Sequence, residues 1–199
     1  MLTFAQQCIK RVFDLILSLS GILMTWWIML IAWFIATVET KSNGLFLQKR
    51  IGKEAKPFTI FKIKTMGFME GENSTVTTSN DVRITKSGKF FRRWKIDELP
   101  QLFNVLFGDM SFVGPRPDVP GYADRLEGDE RKILNLRPGI TGPATLKYKD
   151  EESLLSQQED PEIYNREVIW PDKVKINLAY IQTWSLKKDI IYIIRSITG

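Results

Sequence analysis

The sequence predicts a mixed α/β, mainly helical fold: a compact membrane-associated domain with an N-terminal membrane helix, a small β-hairpin and amphipathic interfacial helices. Three observations carry this. Residues 15–38 contain no charged side chain, a run longer than the roughly 20 residues that cross a bilayer core. Residues 45–51 and 58–64 are short apolar runs separated by a turn that opens on Gly52 and closes on Pro57, the pattern of a hairpin. Leu99, Leu102, Phe103 and Leu106 recur three and four apart, which is helical spacing. The chain therefore divides into a membrane-inserted segment, residues 1–40, and a folded domain, residues 41–199.

The elements follow in order. A polar lead with Lys10, Arg11 and Asp14 precedes the apolar run. That run is too long for a signal-peptide core and is followed by no small-residue cleavage site. Trp26, Trp27 and Trp33 among Leu, Ile, Met and Phe leave it no polar face, so lipid is a better match than a protein core. Lys10 and Arg11 lie before it and Lys41, Lys49, Arg50 and Lys53 after it, so the positive-inside rule draws both flanks to the cytoplasm. A re-entrant hairpin satisfies both flanks; a single span with the heavier C-terminal flank inside satisfies one. Ser18, Ser20, Gly21 and Thr25 could support a break, because hydroxyls can satisfy freed backbone groups.

In the second hairpin strand Phe61 and Ile63 alternate with Lys62 and Lys64, which predicts one apolar and one cationic face, solvated or in contact with phosphate. Residues 70–81 are polar and read as a loop. Residues 88–94, GKFFRRW, read as a basic, aromatic helix or turn suited to a membrane surface or to nucleic acid. Asp97 and Glu98 stand before an apolar helical pattern, with Pro100 in its first turn. Asp97 is thus a candidate N-cap, an ionised carboxylate beside N–H groups that can receive phosphate. Gly114-Pro115-Arg116-Pro117 is a rigid turn carrying a cation. Residues 121–135 read as a charged, solvated helix, and residues 136–143 as a second rigid turn with Arg137 and Thr141. Residues 149–165 are polar and acidic, hence exposed. Pro171 opens a helix with Val174, Leu178 and Ile181 on one side. Ser185 caps a last amphipathic helix whose Leu186, Ile190, Ile194 and Ile197 share a face.

Composition narrows the chemistry. The chain has no histidine and one cysteine, Cys8, which removes histidine-based triads, histidine metal sites and internal disulfides. Catalysis must rest on carboxylates, Lys, Arg, Tyr, hydroxyls or a hard metal ion. A net charge of +5 favours anionic partners.

KRVFDLILSL before the apolar run, FTIFKIKTM, IDELPQLFNVLFGDMSFVGPRP and RPGITG occur in this order. Together they resemble the bacterial sugar transferase family, the small monotopic phosphoglycosyl transferases. The resemblance implies transfer of a sugar phosphate from a UDP-sugar to a membrane polyprenol (undecaprenyl) phosphate, with release of UMP, at the start of glycan assembly. By that analogy Asp97 is the nucleophile that forms a phosphosugar-aspartate, and Glu98, catalytic with it, helps hold Mg²⁺ beside Asp97 or assists the incoming phosphate. Arg92, Arg116 and Arg137 are placed around the phosphates because guanidinium matches phosphate bidentately, with Lys62, Lys64 and Thr141 as further contacts. The family commonly breaks its re-entrant membrane helix with Ser-Pro, where this chain has Trp26-Trp27; re-entry is nevertheless the expected topology. Other expectations are a bacterial inner-membrane location with the catalytic domain on the cytoplasmic face of the inner leaflet, no nucleic acid partner, and a homodimer allowed. A membrane-tethered polyanion-binding scaffold and a one-step Mg²⁺-dependent transferase are the competing readings.

Overall fold

The computed structural model describes residues 2–67 and 81–198. The polar loop expected over residues 70–81 falls, apart from Asp81, outside the described residues. Helix α1 runs from Phe4 to Thr40. Thr3 caps it through a reciprocal box, accepting from Gln6 N while Gln6 Oε1 accepts from Thr3 N at 2.8 Å. Its buried residues, Lys10, Asp14, Ser18, Met29, Ala32 and Ala36, form one stripe along the helix. The opposite side exposes Ile16, Leu23, Met24, Trp26, Trp27, Leu30, Phe34 and Val38.

No break occurs at Trp26-Trp27, and the two-armed hairpin expected there is not formed. Two of the hydroxyls that could have supported a break, those of Ser18 and Thr25, are spent inside the helix. Thr25 Oγ1 donates to the carbonyl of Gly21 at 2.7 Å and Ser18 Oγ to that of Leu15 at 3.2 Å, the back-bonding that helical Ser and Thr adopt.

Strands β1 (Leu45–Ile51) and β2 (Pro57–Ile63) pair antiparallel as expected. Ile63 joins Ala32 and Ala36 of α1 and Phe91 of α2 (Lys86–Arg93) in one cluster. Ile60 on the other face packs with Val105 and Met110. Helix α3 covers Gln101–Phe107. It does not begin at the acids: Asp97 and Glu98 lie in a 3₁₀ turn, Ile96–Glu98, entered through Lys95 at φ 55°. Leu99 N bonds Ile96 O and Leu102 N bonds Leu99 O, so the chain through the acids is held by tight turns. The helix takes Pro100, not Asp97, as its N-cap residue.

Strand β3 (Ser111–Val113) runs parallel to β4 (Gly139–Thr141), a strand inside what spacing reads as a turn. The pair explains two glycines. A Cβ on Gly139 would stand 2.2 Å from Gly114 N, and one on Gly114 2.5 Å from Arg137 O. The two turns are thus packed backbone to backbone. Gly139→Ala is expected to lower stability by about 2 kcal/mol, read as a drop of about 4–8 °C in thermal unfolding of the detergent-solubilised protein.

Residues 121–135 hold two short 3₁₀ turns, Ala123–Arg125 and Glu130–Asn135, rather than one helix. Gly121 at φ 106° and Gly128 at φ 52° interrupt the helical path. Short helices α4 (Pro143–Lys147), α5 (Glu151–Leu155) and α6 (Pro161–Tyr164) lead to α7 (Trp170–Gln182) and α8 (Leu186–Thr198). Pro171 lies in the first turn of α7, but helical chain already enters it through a π-turn, Asn165–Ile169. The main core joins Val113, Ile133, Leu134, Leu136, Val174, Tyr180 and Ile181. Ser185 caps α8, accepting from Lys188 N at 3.3 Å. The face of α8 that carries Ile190, Ile194 and Ile197 is exposed; Tyr192 and Ile193 pack on the core and Asp189 is fully buried.

Candidate active site

The 3₁₀ turn before α3 presents Asp97 and Glu98 differently. Glu98 Oε1 accepts from Lys62 Nζ at 2.9 Å and from Arg116 Nη2 at 2.9 Å. Burial alone would raise this carboxyl, but the ammonium of Lys62 and the guanidinium of Arg116 outweigh it and hold Glu98 well below the usual carboxylate range. Asp97 is buried, with 8% exposure, and its carboxylate makes no hydrogen bond or ion pair among the described residues. Burial, and then the neighbouring charge of Glu98, push it up to about 6. This reverses the expectation of a carboxylate kept ionised by a helix terminus. One acid is bonded to two cations and the other is unpaired.

Each partner is placed by its element. Lys62 comes from β2, which is fixed to α3 by Asn104. The Asn104 amide accepts from Phe61 N at 3.0 Å and donates to Thr59 O at 2.7 Å. It thus bonds the open edge of β2 as a neighbouring strand would. Lys62 is therefore not on a solvated cationic face: its ammonium is withdrawn from water, and burial lowers its pKa despite Glu98. Arg116 is carried by the proline turn that follows β3, and Glu98 raises its pKa.

The other expected site residues divide. Arg92 stands close enough to lower the pKa of Asp97, although its guanidinium is paired with Glu152. Lys64 donates to Ser42 Oγ at 2.8 Å, Arg137 Nε donates to Gly108 O at 2.7 Å, and Thr141 Oγ1 is bonded to Ser196 Oγ. None of these three bonds the acids. The Arg137 segment instead acts through its backbone, against Gly114 at the base of the Arg116 turn.

Sequence reasoning missed several neighbours. Glu152 on Arg92 and Glu151 on Lys173, at 2.7 Å, come from the acidic segment read as merely exposed. Asp118 follows the proline turn and is pushed up to about 7 by burial, against the pull of Lys173 and Arg50. Arg50 was read only as part of a positive flank. The period-2 pattern could have found it, because hairpin pairing puts Arg50 and Gln48 on the same face as Lys62.

An unpaired carboxylate thus stands beside a cation-bound one, next to Lys62, Arg116 and Arg92, side chains of the kind that pair with phosphate. The chain belongs to the bacterial sugar transferase family, whose model matches residues 5–199. It is 35% identical to a UDP-glucose:undecaprenyl-phosphate glucose-1-phosphate transferase of Klebsiella pneumoniae, over 91% of this chain and 37% of that protein. A protein of the same description from Caulobacter vibrioides is 33% identical over 94% of this chain and 68% of its own length. A UDP-N-acetylgalactosamine-undecaprenyl-phosphate N-acetylgalactosaminephosphotransferase of Aeromonas hydrophila is 31% identical over 95% of this chain and 43% of its own length. The chain thus spans less than half of two of these curated relatives.

Proposed function

We propose that this protein transfers a sugar 1-phosphate from a UDP-sugar to undecaprenyl phosphate, or a similar polyprenol phosphate, with release of UMP. The observation that carries this is the unpaired Asp97 carboxylate beside Glu98, which is bonded to Lys62 and Arg116. An Asp97 oxygen attacks the sugar-bearing phosphorus. The phosphorus–oxygen bond to UMP breaks and UMP leaves, giving a phosphosugar-aspartate. An oxygen of polyprenol phosphate then attacks the same phosphorus, and the aspartate departs as a carboxylate. Both steps bring anions together, and Arg116, Lys62 and Arg92 offset that repulsion in the transition state.

Mg²⁺ fits this donor set. Among the described residues no three His, Cys, Asp or Glu side chains converge. The ion would be held by Asp97 with Glu98 alongside, and phosphate oxygens and water would complete the shell that Mg²⁺ prefers. When bound there it neutralises charge on the phosphates.

The same reading seats the protein on the cytoplasmic face of the inner membrane. Helix α1 is bonded to the domain toward both ends: the buried Asp14 accepts from Ser111 and Phe112, and the exposed Glu39 accepts from Lys86 and Ser87 at the start of α2. A helix held this way keeps its two flanks on one side and offers its exposed apolar face to a single leaflet.

The test is UMP release by the purified full chain in lipid nanodiscs containing undecaprenyl phosphate and Mg²⁺, across a panel of UDP-sugars. Release with at least one sugar is expected. No UMP from any, together with salt-sensitive binding to RNA or DNA, would favour a tethered polyanion-binding protein instead.

A further inference from the structure

We infer that Arg50, oriented by Gln48, forms with Arg116 an anion subsite that receives a phosphate oxygen of a substrate; the choice of ligand rests on the transferase reading above. The hairpin register pairs Phe46 with Lys62, Gln48 with Ile60 and Arg50 with Phe58. Opposed residues share a face, so Arg50 and Gln48 extend the row that begins at Lys62. Arg50 Nη2 donates to Gln48 Oε1 at 2.6 Å, and Nη1 donates to the carbonyl of Pro117, in the Arg116 turn, at 3.3 Å.

The remaining donor is the informative one. Arg50 Nε is buried and has no partner, and among the described residues no carboxylate lies within ion-pair distance of this guanidinium. Asp118 and Glu98 are the acids whose charge reaches Arg50, but neither bonds it: Asp118 is pushed up to about 7 by burial and Glu98 is already bonded to Lys62 and Arg116. Burial and the neighbouring charge of Arg116 depress Arg50 to about 10. Two adjacent guanidiniums, one with no carboxylate bonded to it and holding a buried free donor, form an arrangement that costs stability unless an anion joins it. A tetrahedral phosphate can accept from both. If Arg50 served only to tie β1 to the proline turn, its two bonds to neutral oxygens would suffice and the free Nε would have no purpose.

Two phosphate sources are compatible with this chemistry: the diphosphate of the sugar nucleotide and the monophosphate of the polyprenol. Calorimetric titration of the full chain in nanodiscs with UDP and with a short-chain polyprenyl phosphate separates them without turnover. Arg50→Gln is expected to weaken binding of one probe about 10- to 100-fold, as loss of a charge-assisted contact does, and to leave the other within twofold. Weakened UDP binding assigns the subsite to the nucleotide, and weakened polyprenyl phosphate binding assigns it to the lipid. Arg50→Lys keeps charge and reach but not the fork, and should give an intermediate loss even where Arg50→Gln fails to fold. The inference is overturned if every variant that folds binds both probes within twofold of the wild type. Absence of UMP release by the wild type would strike the transferase reading and leave these titrations interpretable.

Discussion

Asp97→Asn is expected to lower UMP release by about 10³-fold or more while leaving the protein at least as stable as before. The two halves of this result have one cause. Asp97 is a buried carboxylate with no hydrogen bond or ion pair, pushed up to about 6. Its ionised form therefore costs the folded state more than the unfolded one, and a neutral amide of the same shape removes that cost. The amide has no oxygen able to attack phosphorus, so the nucleophile is lost while the surrounding cations stay in place. Thermal unfolding and UMP release measured on one preparation check both halves together. Lost activity accompanied by a large fall in Tm would instead mark Asp97 as structural.

The second large effect lies away from the acids. Asp189→Ala should destabilise the protein by about 3–5 kcal/mol, a fall of about 6–20 °C in Tm for a chain of this size. Asp189 is fully buried and accepts from Lys10 Nζ at 2.6 Å, Tyr180 OH at 2.7 Å and Trp184 Nε1 at 3.0 Å. It therefore joins α1 to α7 and α8 at one point. Without it the buried Lys10 ammonium keeps one hydrogen bond, to the Tyr180 hydroxyl at 3.5 Å, and the charge of nearby Asp14, but no ion pair. Most of the loss belongs to the stranded charge rather than to the pair, so Lys10→Met combined with Asp189→Leu should recover much of the Tm. A double variant no more stable than Asp189→Ala alone would contradict this account of the junction.

What the sequence disclosed follows the range of the interactions. The hairpin, the α1 run and the Ser185 cap depend on neighbours within a few residues, and each stands where period and turn chemistry put it. The pairing of Lys62 with Glu98 crosses 36 residues, and no local pattern announces it. Arg92 and Arg116 are at or beside the acids, whereas Arg137 and Thr141, expected there too, bond other partners. Their motif fits a backbone role, because Gly114 and Gly139 must approach too closely for any side chain. The helix expected at Asp97 begins at Gln101 instead: apolar spacing marks where a helix runs, but the tight turn entered through Lys95 at positive φ holds the acids outside it. Lys10 and Asp14 read as a polar lead into a membrane segment. Both are buried in the structure, because one side of α1 faces protein rather than lipid.

The central claim is that Asp97 carries the sugar phosphate. Intact-protein mass spectrometry after incubation with an accepted UDP-sugar and Mg²⁺, without polyprenol phosphate, tests it most directly. The expected result is a mass increase of one sugar phosphate, mapped to the peptide containing Asp97, equal in amount to the UMP released and absent in Asp97→Asn. UMP formed only when polyprenol phosphate is present, with no adduct on the protein at any time, would contradict it and establish a one-step transfer.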